Sequence, residues 1–495
     1  ENSIVLTDLP LISFVRLGKN PNLSKSEFLN KILSSKQQNY DTFVHRKTGK
    51  CSIKLSLEKM SMIATDLGIQ VDENNTICQN AKERAERITR DIENIPDYKM
   101  KELPLQGKPW KEISKLEKEM CRLKKNLRME QGNHRMNEAI HQFISGCCSN
   151  EQLYFLKWMK ITLDSLTRKH LSRLQEQYRD ACQNPKEDKE RLRELDNQIA
   201  SSSLGIQHFM RELSQLYESA HFQGNWNHPS LKKLPELCAQ LMLNGFPLEL
   251  IDGDASNIPL RWIGNVLSAL NKLTTPHNRI RVITVLGVQS TGKSTLLNTM
   301  FGVQFAVSSG RCTRGAFMLL IDVSEEFRSE LLCDYILIID TEGLKSLELA
   351  KLADSYEHDN ELATLVVGLS DITIVNIAME NATEMKDTLQ IVVHAFLRMK
   401  EVGKKPCCHF AHQNTADVAV QDKILRERMS FFQQLDYMTQ AAAKMEKKSN
   451  NYKFTDILEY KIDGNNWYIP GLWLGTPPMA PVNTGYSEEV NKNQS

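Results

Sequence analysis

The chain has 495 residues, 41% of them hydrophobic and 25% charged, with 62 Lys and Arg against 61 Asp and Glu. That length exceeds what one compact core holds, so two or three domains are expected. A formal net charge of +1 removes the electrostatic ground for nucleic acid or an anionic membrane as a global partner.

Residues 1–80 form a mixed N-terminal leader with no clear pattern. Residues 81–245 are read as an α-helical bundle or stalk. From Ala81 to Glu218 the sequence is rich in Leu, Glu, Lys and Arg and poor in Gly, the composition of helices. Ile113, Leu116, Met120, Leu123 and Leu127 step by three and four along one helix face. That stripe is too short a heptad run to define a dimer seam, so packing within the chain is the default, with self-association through the helices as the alternative. A second run, Glu151 to Cys182, and a third, Lys186 to Tyr217, are separated by Asn184-Pro185, which a helix does not cross comfortably. The charged faces of these helices are expected to be solvated.

Residues 246–495 are read as a P-loop domain with its N-terminal connector. The connector carries the acidic turn Asp252-Gly253-Asp254 and an amphipathic helix from Leu260 to Leu273. Beyond Pro276, β-branched runs alternate with helical segments, the pattern of a mainly parallel α/β sheet flanked by helices. Strands are expected at Ile280 to Leu286, Ala316 to Asp322, Tyr335 to Asp340, Ile372 to Ile377 and Cys407 to His412. Trp467 to Pro481 reads either as a loop closing over a ligand or as an edge strand with its turn.

Gly287-Val288-Gln289-Ser290-Thr291-Gly292-Lys293-Ser294 satisfies G-x-x-x-x-G-K-[ST], follows an apolar strand and opens a helix at Thr295. Glycines let the backbone wrap phosphates, and the unpaired amides of a helix start attract their charge. Lys293 is placed to reach β- and γ-phosphates and the Ser294 hydroxyl to bind Mg²⁺. Asp340-Thr341-Glu342-Gly343 ends the strand from Tyr335; the Asp340 carboxylate is expected to hold the metal through water and the Gly343 amide to sense the γ-phosphate. Between the two lies Gly310-Arg311-Cys312-Thr313-Arg314-Gly315, where Thr313 is placed to complete the Mg²⁺ shell.

Asn414-Thr415-Ala416-Asp417 resembles Asn-Lys-x-Asp with Thr in the Lys position. In that motif the Asp accepts from the guanine ring N–H and amine, which adenine cannot present. Guanine is therefore the expected base, through Asn414 and Asp417; an ATPase is the reading if Asp417 is only a helix cap. Cys407, Cys408, His409 and His412 do not converge on zinc from a strand, because successive side chains point to opposite faces.

On these residues the chain resembles the interferon-inducible very large GTPases and, next to them, the shorter up-regulators of cell proliferation. The match is carried by Val285 to Asn298, Phe305 to Gly315, Asp340 to Leu344, His412 to Asn414 and Trp467 to Tyr486, together with the opening Leu9 to Gly18. More distantly, Gly-x-Gln-Ser-x-Gly-Lys-Ser resembles dynamin-type GTPases, which implies that Gln289 and Ser290 assist hydrolysis. The Asp-Thr-Glu-Gly run resembles guanylate-binding proteins, whose phosphate-loop Arg is replaced here by Ser290. The resemblance implies a large GTPase using GTP and Mg²⁺, yielding GDP and coupling nucleotide state to homodimer or higher association. A scaffold that binds nucleotide with little hydrolysis is the second reading.

Leu344 stands where a Ras-like enzyme carries its water-orienting Gln. Water is then expected to be placed by Gln289, Ser290 and the Thr313 backbone, with Arg311 or Arg314 supplying transition-state charge. The 11 cysteines are scattered, with adjacent pairs at Cys147/Cys148 and Cys407/Cys408, which points away from a disulfide framework and toward a reducing cytosolic or nuclear compartment. Neither a signal-peptide pattern nor a run of ~18 apolar residues is found. The start without Met and the great length of the family's members make a fragment of a longer protein the expectation.

Overall fold

The computed structural model of the chain describes residue 62 and residues 75–107, 136–181, 189–224, 229–253, 258–289, 291–303, 305, 314–344, 355–378, 382–403, 407–415, 421–446, 452–461, 464–472 and 483–492. By its contacts the chain divides into two units, Glu1–Asn80 and Ala81–Ser495. Most of the expected leader and the whole stripe Ile113 to Leu127 lie outside the described residues.

The helical part comprises α1 (Thr76–Thr89), α2 (Ile95–Glu102), α3 (Glu138–Cys147), α4 (Gln152–Ala181), α5 (Lys189–Ser202), α6 (Ile206–Gln223) and α7 (Pro229–Leu243). α4 matches the second predicted run. The third is two helices, because Ser203, Leu204 and Gly205 interrupt it: Gly205 is extended at φ −144° and its amide donates to His208 Nδ1 at 3.1 Å, and a Ser-Gly stretch has little helical preference to bridge the gap.

α6 also departs from the expected solvated faces. Every residue from His208 to Ala220 on it is buried, and its charged side chains are held by partners from other elements. Arg211 pairs with Glu249 and Asp252, and Glu212 accepts from the Leu105 amide at 3.0 Å. Glu218 accepts from the amides of Arg261 and Trp262, both at 2.9 Å. Charge on a helix signals solvent only when no partner reaches it.

The sheet contains β1 (Leu248–Asp252), β2 (Ile280–Gly287), β3 (Gly315–Asp322), β4 (Tyr335–Thr341), β5 (Ile372–Ala378), β6 (Cys407–Thr415) and β7 (Asn466–Pro470), in the spatial order β1-β3-β4-β2-β5-β6-β7. β4, β2, β5, β6 and β7 run parallel; β3 is antiparallel to both β4 and β1. The described helices between and beyond the strands are α8 (Leu260–Thr274), α9 (Lys293–Phe301), α10 (Glu325–Leu331), α11 (Ser355–Leu369), α12 (Ala382–Glu401), α13 (Gln421–Met445), α14 (Phe454–Ile457) and α15 (Thr484–Lys492). The expected α/β architecture is thus present, and the five predicted strands lie where the β-branched runs placed them. β1 falls in the expected connector, yet its five residues are an edge strand, and a register shift between Glu249 and Ile251 hides its alternation. Trp467 to Pro470 belong to the edge strand β7, while Pro477 to Pro481 lie outside the described residues.

Alternate side chains of the strands feed two cores. Val285, Ile338, Ile374 and Ala411 pack with Leu296, Leu297 and Met300 of α9 and Tyr486 and Val490 of α15. Leu286, Ile339, Val375 and Phe410 face the other way, into a larger cluster that continues through Trp262 of α8 and Phe396 of α12 to Phe209 and Leu213 of α6 and Phe155 of α4. The helices and that sheet face therefore share one core. β2 lies between β4 and β5 with the connections leaving to both sides, and the crevice beyond the carboxyl ends of such strands is where open α/β sheets bind ligands.

Candidate functional site: a phosphate loop zipped between two strand ends

The loop leaves β2 at Gly287, where a Cβ would run into the Asn376 carbonyl of β5. Only glycine permits that approach. The loop is then tied to the turn after β4: Leu344 N donates to Gly287 O at 3.0 Å, Val288 bridges Leu344, and a Cβ on Gly343 would strike the Gln289 backbone. From β5, Asn376 Nδ2 donates to the carbonyl and hydroxyl of Thr291 at 2.7 and 3.0 Å, and Thr291 Oγ1 donates to Val288 O at 2.8 Å. Gly292 sits at φ 81° as the residue before α9, a left-handed conformation costly for other residues. The helix start that follows turns its amides toward the crevice.

Lys293, only 6% exposed, spans this loop: its Nζ donates to Gly287 O at 3.2 Å and Val288 O at 2.9 Å. Ser294 Oγ donates to Asp340 Oδ2 at 2.7 Å, and Asp340 is buried at the end of β4. A hydroxyl and a carboxylate are hard oxygen donors of the kind Mg²⁺ takes, so the donor set fits that ion. Thr295 continues the first turn of α9, its carbonyl accepting from Thr299 Oγ1 at 2.9 Å. Ser290, Arg311 and Thr313 lie outside the described residues.

Glu342, inside the Asp340–Gly343 turn, has a structural task. Its amide donates to Gly315 O at 2.7 Å, its carboxylate accepts from Gly315 N at 3.0 Å, and His358 Nε2 of α11 meets its other oxygen at 2.6 Å. The entry to β3, the turn after β4 and the first turns of α11 are thereby fastened together. Arg314, one of the two arginines expected to contribute charge, is bound to Asp196 of α5, through both its carboxylate and its carbonyl.

Near the end of β6, Asn414 lies at φ 58° and exposed, where the β6–β7 register shifts between Gln413 and Thr415. Asn is among the few non-glycine residues that accept this conformation readily. The side chain is thus presented at the same carboxyl edge as the phosphate loop, two strands away across β5. Asp417 lies outside the described residues. On β6, His409 stacks on Trp467 and His412 on Tyr468, each at 4.8 Å between ring centroids; burial pushes the His409 imidazole below its ordinary pKa.

Sequence reasoning missed Asn376, whose signal was a lone amide near the end of an apolar strand. It also missed Asp196, the partner of Arg314, from a helix far away in the chain that carries no local signal.

A loop of this form after the central strand, with a buried Lys and a Ser–Asp pair at its helix start, defines a P-loop α/β nucleotide-binding domain. A family model described as "URGCP-like GTPase domain" matches residues 100–487, and one described as "Up-regulator of cell proliferation-like domain" matches residues 1–54. The chain belongs to the URGCP-like GTPase domain family. It is 38% identical over 474 residues to mouse (Mus musculus) interferon-induced very large GTPase 1, which covers 88% of this chain and 19% of that protein. It is 36% identical over 473 residues to human (Homo sapiens) up-regulator of cell proliferation, covering 88% and 49%. The chain therefore spans about a fifth to a half of the length of these relatives. Among solved structures, a dimerization-deficient mutant of Toc33 from Arabidopsis thaliana aligns with 46% of this chain and 87% of its own, at 13% identity and a TM-score of 0.28. Among the described residues no helix is long and apolar enough to cross a membrane.

Proposed function

We propose that this chain binds GTP with Mg²⁺ in the loop from Gly287 to Thr295 and hydrolyses it to GDP and phosphate. The observation that carries the reading is the convergence of Lys293, Ser294 and Asp340 at adjoining strand ends. Lys293 would exchange its carbonyl partners for phosphate oxygens, and the Gly343 amide lies beside the loop where a γ-phosphate would be sensed. Ser294 and Asp340, with Thr313, would hold Mg²⁺, which would supply charge neutralisation at the phosphates. Asn414 and Asp417 would select guanine.

Water placement would fall to Gln289, Ser290 and Thr313, with Arg311 as the cationic group, since Arg314 is occupied by Asp196. Leu344 is fully buried and backbone-paired to Gly287, so its position offers no side chain to orient water. That observation favours the second reading, a nucleotide-binding scaffold with slow turnover. The reading extends to nucleotide-dependent self-association and to a reducing cytosolic setting. The second is supported by the cysteines of the described residues, which are free thiols, the adjacent Cys147 and Cys148 among them.

Phosphate release with GTP and ATP in parallel, beside calorimetric titration of each nucleotide with Mg²⁺, tests this. GTP-specific release is expected. GTP binding without release selects the scaffold, ATP turnover removes the guanine assignment, and binding of neither nucleotide overturns the site.

A further inference from the structure

The antiparallel strands β3 and β4 keep one register from Asp322↔Tyr335 to Ala316↔Thr341, so the next pair in line is Gly315 with Glu342. In a hydrogen-bonded antiparallel pair the two residues exchange both amide–carbonyl bonds. Here one bond runs between main chains, the Glu342 amide donating to Gly315 O at 2.7 Å. For the other, the Gly315 amide donates to the side chain, at 3.0 Å from Glu342 Oε2. The carboxylate thus closes the ladder in place of a carbonyl, and the chain can turn out of the sheet at Gly343 without stranding the buried Gly315 amide.

Gly343 is consequently held from both sides. Glu342 before it is tied to the first residue of β3. Leu344 after it donates its amide to Gly287 O at 3.0 Å, and Gly343 itself backs onto the Gln289 main chain, where a Cβ would strike. The rotamer of Glu342 decides the first of these ties, and α11 decides the rotamer. His358 Nε2 lies 2.6 Å from Glu342 Oε1, the side chains being 15% and 4% exposed. Since a carboxylate can only accept, Nε2 carries the hydrogen of that bond. α11 is itself seated in the main core through Leu362, Ala363, Val366 and Val367, so the imidazole is offered from a fixed element.

We propose that His358 is a positioning residue of the nucleotide site: by holding the Glu342 carboxylate on the Gly315 amide, it presets the turn that brings the Gly343 amide to a γ-phosphate. The inference rests on the proposed nucleotide site. The imidazole acts through Glu342 and the turn, without touching nucleotide. A turn tied by the protein's own side chains is in place before a ligand arrives, so binding does not have to order it. The γ-phosphate is the group that meets this amide, whereas a diphosphate ends short of it and is held by the loop and the start of α9. Loss of the clasp therefore weakens the triphosphate state and leaves the diphosphate state nearly as it is.

The test is the calorimetric affinity, with Mg²⁺, for GDP and for a non-hydrolysable GTP analogue. Compared with wild type are His358→Phe, which keeps a ring and removes the donor; His358→Gln, which returns an amide donor near the Nε2 position; Glu342→Gln; and the double variant His358→Phe/Glu342→Gln. His358→Phe is expected to bind the triphosphate analogue about tenfold more weakly, with GDP affinity within about twofold of wild type, and His358→Gln to recover most of the difference. Glu342→Gln is expected to lose triphosphate affinity selectively too, and the two losses not to add in the double variant, because both open the same clasp. Circular dichroism reports folding; should His358→Phe not fold, Glu342→Gln reads the clasp from its other end. Equal losses for both nucleotides, no loss, additive losses or no recovery in His358→Gln overturn the inference while leaving the site intact. A wild-type protein that binds neither nucleotide overturns the site, and the role of His358 with it.

Discussion

Two arginines join the helices to the sheet, and they sit in different mechanical settings. Arg211 of α6 grips Glu249 and Asp252 of the edge strand β1, all three side chains less than 10% exposed, between elements that already share the main core. Arg314, just before β3, grips Asp196 of α5, which packs with the end of α4 in a small core of its own. The same ion-pair chemistry therefore does different things. Where apolar packing surrounds the pair, losing the cation leaves two carboxylates stranded in the interior and the fold bears the loss. Where the partner sits in a small core of its own, losing the cation strands a single carboxylate and the main core keeps its packing.

The largest effect that separates the two falls on Arg211. Arg211→Ala is expected to lower unfolding free energy by about 3 to 5 kcal/mol, while the folded fraction keeps its GTP affinity; urea unfolding and calorimetry on one sample measure both. A loss of affinity at unchanged stability would erase the distinction between the tethers.

Lys293→Ala is the opposite case. Removing a cation that contacts phosphate is expected to weaken GTP binding at least about a hundredfold, with a urea midpoint near that of wild type, because the Lys Nζ donates to the backbone carbonyls of Gly287 and Val288. Binding at wild-type strength would contradict the phosphate-loop assignment.

A pH-dependent effect tests the interior of α6. Burial raises the Glu212 carboxyl from its ordinary 4.5 to about 8. Between those values the folded chain keeps a proton that the unfolded chain has lost, so stability falls as pH rises from about 4.5 to 8 and levels off above. Glu212→Gln, permanently neutral, is expected to flatten that decline in a series of urea midpoints from pH 5 to 9 without altering nucleotide affinity. An unchanged slope would mean that Glu212 is ionised in the fold.

The smallest expected change is at Asn376. Removing its donations to Thr291 in Asn376→Ala should weaken nucleotide binding about tenfold, with Asn376→Ser recovering part of it. Equal loss in both would place the effect in strand packing.

The geometry of the loop after β2 was legible in the sequence because its pattern is local: Gly287, Gly292, Lys293 and Ser294 stand at fixed spacing on one strand, turn and helix. The five central strands were legible because burial on both faces of a sheet's interior strands writes itself as short apolar runs between turns. Only the tertiary structure decided that the charges of α6 are interior, that Leu248 to Asp252 form a strand, and that Asp196 belongs to Arg314 rather than to solvent. The reason is the range of the interactions. Periodicity reports which side of an element is apolar, whereas the partner of a buried charge comes from a distant stretch of chain and leaves no mark beside it. Asn376 lies between these cases: its place at a strand end was visible, but its bonds to Thr291 exist because the parallel register sets β5 beside β2 at Gly287.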